Sequence, residues 1–173
     1  DIILGKNAVY VAFDTGEGLP KDFSPPKLIP GAPGCLGKDA FCRWHDENGL
    51  PIVVYLSSDG QSLWAVRVPG NNQILPESAW EIGIAIRGAF SEYLYGGSAS
   101  PDDAVAMVFS DPRDDSLHLH YNGYALVLHR QDIDDGKRKW TPYKYNPSTW
   151  RVVRSFQSSD IGTAIFAFGY DGG

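Results

Sequence analysis

Ser116-Leu-His-Leu-His-Tyr-Asn-Gly-Tyr-Ala-Leu-Val-Leu-His-Arg130 is two alternating runs on either side of Asn122-Gly123. Asn-Gly supplies positive φ at both central positions of a type I′ turn, the tightest hairpin connection. With that turn Tyr121 faces Tyr124, and the register of the hairpin follows. Leu117, Leu119, Tyr121, Tyr124, Leu126 and Leu128 then share one face, which reads as a core face. Ser116, His118, His120, Ala125, Val127 and His129 share the other. That second face gathers three of the four histidines in the chain.

The same pattern extends outward in both directions. On the N-terminal side, Asn7–Phe13, Ala40–His45, Pro51–Ser57, Ser62–Val68 and Ala104–Ser110 read as strands, separated by Asp, Asn and Gly turns. On the C-terminal side, Asp132–Gly136 reads as a turn and Lys139–Tyr145 as an edge strand broken by Pro142. Thr149–Phe156 and Thr163–Phe168 read as two last strands. Pro76–Glu81 has the proline and acidic residues of a helix start. Ile82-Gly-Ile-Ala-Ile86 is β-branched and reads as strand. Residues 14–38, rich in proline and glycine, read as a long loop or arm through which no ladder runs. The expectation is an all-β domain over 1–173, an antiparallel meander of about ten short strands at 8–12-residue spacing, as in a propeller, sandwich or barrel.

The order of elements repeats. Residues 39–81 run strand, turn, strand, Asp-Gly turn, strand, Gly-Asn loop and tryptophan. Residues 103–145 run through the same order to Trp140, and Ile161–Gly173 resembles a third first strand. Repeated four-stranded units are the signature of propeller blades, although any antiparallel meander produces a similar order. The nearest segment to a known family is Pro51-Ile-Val-Val-Tyr-Leu-Ser-Ser-Asp-Gly-Gln-Ser-Leu-Trp-Ala65. With its counterpart in the second unit it resembles the blades of fungal and bacterial fucose-binding lectin propellers. That resemblance implies the architecture without the sugar site. The family's fucose-holding arginine falls on Val53 and, in the second unit, on His118, and its glutamate falls on Ala65. A chain with so few units would close a propeller as a homo-oligomer.

Hydrophobic residues make up 43% of the 173, enough for one sizeable core. No 18-residue apolar run is present, so no helix is expected to span a membrane. The net charge of −6 argues against a nucleic-acid binder, which would carry a basic balance. Charge is unevenly placed. Asp102, Asp103, Asp111, Asp114 and Asp115 form an acidic stretch, and Lys137, Arg138, Lys139, Lys144, Arg151 and Arg154 a basic one. Each suits a solvated face, and the basic run also suits an anion or glycan site. Cys35 and Cys42 are too sparse for a zinc site and read as one local disulfide. A disulfide, with a chain that starts at Asp1 as a processed or trimmed protein would, points to a secreted or periplasmic protein.

Three constellations could carry function. Trp140, Tyr143, Tyr145 and Trp150, interleaved with Arg151 and Arg154, suit a sugar-stacking surface with hydrogen-bond donors, and Trp64, Arg67 and Trp80 are the equivalent set in the first unit. His118, His120 and His129 could hold Zn²⁺ with a position left open for water, because diagonal neighbours lie within roughly 7–8 Å. Asp132-x-Asp134-Asp135-Gly136 has some of the look of a calcium loop but lacks its terminal glutamate. No nucleophile elbow, phosphate loop or metalloprotease motif is present. The leading expectation is a carbohydrate-recognition protein without a required cofactor. The first alternative is an inhibitor or immunity protein that plugs a secreted enzyme with its Pro/Gly arm or the Asp111–Asp115 loop. The second is a metal-dependent enzyme on the histidine face.

Overall fold

A computed structural model of the chain describes residues 1–14, 23–38, 40–67, 74–89, 107–111, 114–121, 124–134, 137–144, 150–158 and 162–169. Among them the protein is all-β, with thirteen strands in four antiparallel sheets. The first sheet joins β1 (Ile2–Leu4), β2 (Val9–Val11) and β3 (Lys27–Leu28). The second is β4 (Phe41–His45), β5 (Pro51–Leu56), β6 (Leu63–Arg67) and β7 (Ala79–Glu81), in sequence order. The third is β8 (Met107–Asp111), β9 (Ser116–Tyr121), β10 (Tyr124–Asp134) and β11 (Lys137–Lys144), again in order. A two-stranded ladder, β12 (Trp150–Ser158) and β13 (Gly162–Gly169), follows. The two four-stranded meanders fall within the two segments whose order of elements repeats.

Turn chemistry sets the register of the second sheet. The carboxylate of Asp46 accepts the amides of Asn48 and Leu50 at 2.9 and 2.8 Å, an Asx-type turn with Gly49 at φ +77°. It aligns Trp44 with Ile52 and Cys42 with Val54. Ser57 and Ser62 close the next turn around Gly60 at φ +69°. In the third sheet Tyr121 pairs with Tyr124 and Leu119 with Leu126, the register that a two-residue Asn-Gly connection dictates. Asn122 and Gly123 themselves lie outside the described residues. Pro142 sits on β11, at the edge of its sheet, where a missing amide is tolerated.

Hydrogen bonds and a shared apolar core join the first three sheets. Cys35 donates its amide to Gly5 and Ser58 its amide to Gly34, at 2.9 and 2.8 Å, and the Tyr55 hydroxyl reaches Pro33 at 3.1 Å. These bonds join the first sheet to the second. Ser110 Oγ donates to the Arg43 carbonyl at 2.8 Å, and Trp44 Nε1 donates to Asp115 Oδ1 at 3.1 Å, which joins the second sheet to the third. One apolar core runs through all three, from Val9, Val11 and Ile29 through Tyr55, Leu56 and Leu63 to Leu117, Leu119 and Leu128.

Several expectations change. Ile82–Ile86 is not a strand. The amides of Ile82 and Gly83 both bond to the Leu63 carbonyl, and a Cβ on Gly83 would lie 2.9 Å from Leu63 Cβ. The chain crosses the end of β6 there and turns into a 3₁₀ segment, Ile84–Ile86, followed by one helical turn, Arg87–Ala89. Pro76–Ser78 is likewise a single 3₁₀ turn, and it leads into β7. Within 14–38, β3 does pair with β2, through two residues flanked by prolines. Asp132–Asp134 is not a loop but the end of β10, with Asp134 paired to Lys137. Cys35 and Cys42 form no disulfide. Cys35 bridges Ser57 while Cys42 pairs with Val54. Three residues of strand rise put the two about 10 Å apart, beyond disulfide reach. Cys35 Sγ points instead to the Gly37 carbonyl at 3.4 Å. Burial pushes both thiols up from their ordinary value.

Candidate functional site

A cleft of about 880 Å³ opens where the first strands of the three sheets converge. Its walls come from β1, β4, the start of β5, the end of β8 and Asp115. Strand alternation on β4 aims Cys42 and Trp44 at one face of the sheet and Phe41, Arg43 and His45 at the other. The three on that second face are exposed. Phe41 and Ile3 both line the cleft, and Arg43 follows Phe41 one pleat along β4. Asp115 also lines the cleft, held by Trp44 Nε1 on the face of β4 opposite Arg43 and with its Oδ2 3.5 Å from Arg130. Among the described residues the Arg43 guanidinium enters no ion pair with a carboxylate. An exposed ring, a fork of donors and an anchored carboxylate form a set that can stack on an apolar ring face and exchange hydrogen bonds with hydroxyls.

Of the expected aromatic surface, the two described members, Trp140 and Tyr143, lie on opposite faces of β11. Trp140 is opposite Leu128 on β11 and packs half-buried against the core, with its indole nitrogen enclosed. Tyr143 is opposite Ala125, on the reverse face of the same sheet, and is exposed. Odd and even positions of one strand cannot share a face. Tyr145 and the side chains of Trp150, Arg151 and Arg154 lie outside the described residues. In the second sheet Trp64 is likewise separated from Arg67 and Trp80. Trp64 faces with Tyr55 and bonds Ser62 Oγ at 2.9 Å, whereas Arg67 lies 5.4 Å from the Trp80 ring on the other face. Arg67 also pairs with Asp46. Burial works against the Asp46 carboxylate, but the amides of Leu50 and Asn48 and the Arg67 guanidinium outweigh it and hold its pKa below the usual carboxyl value.

The histidines are placed where the hairpin register puts them, yet they do not form a metal centre. His118 and His120 stack on Phe109, with ring centroids 4.7 and 5.1 Å away, and 5.7 Å from each other. His118 Nε2 is 2.7 Å from Ser116 Oγ, which also bonds Asp114 at 2.5 Å. His129 Nδ1 lies 3.6 Å from Asp114. Among the described residues no three His, Cys, Asp or Glu side chains are grouped to hold a metal ion. Burial, followed by the neighbouring His118, pushes the His120 pKa down to about 4. The histidine face is buried as well, with Phe109, Ala125 and Val127 all under 5% exposed. From Phe23 onward the Pro/Gly stretch is bound into the fold, and Asp111 is buried, while residues 15–22 of the arm and 112–113 of the loop lie outside the described residues.

Phe41, Arg43 and His45 were the residues missed by sequence. Their i, i+2, i+4 spacing was readable in Phe-Cys-Arg-Trp-His, but only the packing of three sheets shows that this row faces a cleft. No known protein family, no curated protein and no solved structure matches the chain.

Proposed function

We propose that the chain is a carbohydrate-recognition protein that takes a glycan in the cleft between β1, β4 and β8. The observation that carries this reading is the exposed Phe41–Arg43–His45 row lining a cleft that an anchored carboxylate, Asp115, also lines. A sugar presents an apolar C–H face and a rim of hydroxyls, and this wall offers a partner to each. The two four-stranded meanders support the lectin-propeller likeness at the level of architecture only. The sugar site of that family is absent from Val53, His118 and Ala65. With both thiols free, the disulfide argument for an oxidising compartment falls away, and an extracellular or periplasmic setting rests on the glycan reading alone.

A glycan-array screen of folded protein tests the reading, with Phe41→Ala and Arg43→Met compared against Tyr143→Ala. A hydrogen bond from a charged donor contributes about 1.5–3 kcal/mol, so Arg43→Met is expected to weaken binding roughly ten- to hundredfold. Tyr143→Ala is expected to leave binding unchanged. Absence of saturable binding by the folded chain would sink the proposal. Loss of binding on Tyr143→Ala alone would move the site to the outer face of the third sheet.

A further inference from the structure

Arg67, Arg87 and Arg130 each pair with a carboxylate, those of Asp46, Glu81 and Asp115. Arg43 differs. Among the described residues its guanidinium meets no carboxylate and no other hydrogen-bond acceptor, although Asp1, Asp111 and Asp115 line the same cleft. Asp115 is held on the opposite face of β4, where Trp44 Nε1 donates to it at 3.1 Å and Arg130 lies 3.5 Å away. Asp111 is 4% exposed, on the last residue of β8. Asp1 is exposed, so water solvates its charge, and it stays beyond ion-pair distance of Arg43. The cleft therefore presents an exposed cation that none of its own carboxylates neutralises.

A guanidinium is always protonated in proteins, and its donors form a planar fork that matches the two oxygens of a carboxylate. Arg43 carries that fork between two neighbours of different chemistry. Phe41 precedes it and His45 follows it on the same exposed face of β4, each about 7 Å along the strand. An imidazole has at least one N–H donor whether neutral or protonated. A sugar acid brings the complement of all three groups in one molecule: an apolar ring face for Phe41, a carboxylate for Arg43 and hydroxyls for His45. A neutral sugar would offer the fork only hydroxyls, whose bonds to it are about half as strong as those between two charged groups.

We infer that the ligand of this cleft is an acidic saccharide, whose ring carboxylate Arg43 binds through its fork while the sugar ring lies against Phe41. This rests on the glycan function proposed for the same cleft and narrows the ligand from carbohydrates in general to sugar acids. Arg43 is then the residue that sets specificity. The chain as a whole carries a charge of −6, which repels polyanions at long range. Preference for the acid must come from the local pairing at Arg43, a contact suited to one carboxylate on one sugar.

An array of galacturonate, glucuronate and sialate oligosaccharides, each printed beside its methyl ester and with neutral glycans alongside, tests this on the whole chain. Esterification removes the charge and keeps the sugar. The wild type is expected to bind at least one acid about tenfold or more tighter than its ester. Arg43→Met is expected to bring that ratio close to unity. Arg43→Lys is expected to give an intermediate ratio, because lysine keeps the charge without the fork. Arg87→Met removes an exposed arginine already paired with Glu81 and is expected to keep the wild-type ratio. Esters bound as tightly as acids, or neutral glycans bound in preference to both, would overturn the acidic ligand and leave the glycan function standing. A ratio that survives Arg43→Met, or that falls equally with Arg87→Met, would overturn the role of Arg43. Absence of binding to every glycan would remove the glycan function itself, and the acidic ligand with it.

Discussion

His120 shows how one side chain records its surroundings. Its ring stacks on Phe109, and burial holds its pKa near 4, against about 6.5 for an unfolded histidine. Between those values the unfolded chain binds the proton and the folded chain does not. Stability from this site is therefore fully present above about pH 6.5 and is lost as the pH falls toward 4. The loss is on the order of 3 kcal/mol by the usual conversion of a pKa difference. His120→Phe keeps a flat ring beside Phe109 and removes the titration. The gap in urea midpoint between the variant and wild type is expected to widen in the variant's favour from pH 7 to pH 4. A gap that stays constant with pH would show that His120 is not the group responsible.

Glycines decide how the elements meet. Gly34 lies where the loop after β3 crosses the turn between β1 and β2. A Cβ there would sit 1.8 Å from the Lys6 carbonyl oxygen and 2.6 Å from the Asn7 backbone nitrogen. Gly37, three residues on, has nothing within 4 Å. Gly34→Ala must push the first sheet away from the second, breaking the Cys35–Gly5 and Ser58–Gly34 bonds. It is expected to cost more than about 3 kcal/mol, at the severe end for single substitutions. Gly37→Ala is expected to stay within roughly 0.5 kcal/mol of wild type. Denaturant melts of the pair check the contrast, and equal effects would refute the close approach.

At the scale of elements, most strands were legible because period-2 alternation and turn residues act locally. The β9–β10 hairpin is the plainest case, since its register follows from Asn-Gly alone. Ile82–Ile86 failed for a nonlocal reason. Its composition favours a strand, but the carbonyl of Leu63, from another strand, captures two successive amides and leaves room only for glycine. The disulfide failed similarly. Cys35 and Cys42 are close in sequence, yet pairing to different positions along β5 holds them apart.

The whole molecule depends on a core shared by three sheets. Leu119 is fully buried on β9, in contact through that core with residues of the first and second sheets. Leu119→Ala is expected to cost about 2–5 kcal/mol. Because the core is continuous, far-UV circular dichroism and tryptophan fluorescence are expected to report one coincident transition, at a lower midpoint. Two separated transitions would mean that the sheets unfold independently.

By itself the sequence determined the all-β class, the hairpin registers and the inward-facing leucines. These follow from side-chain alternation and turn conformation, which reach only a few residues along the chain. Tertiary structure alone decided which faces are covered. Packing buries the histidine face and turns Phe41, Arg43 and His45 toward a cleft, whereas the separation of Trp140 from Tyr143 follows from strand alternation alone. A strand's alternation defines two faces but carries no label for what lies against each. That depends on contacts between residues far apart in the chain, such as Trp44 with Asp115, 71 positions on.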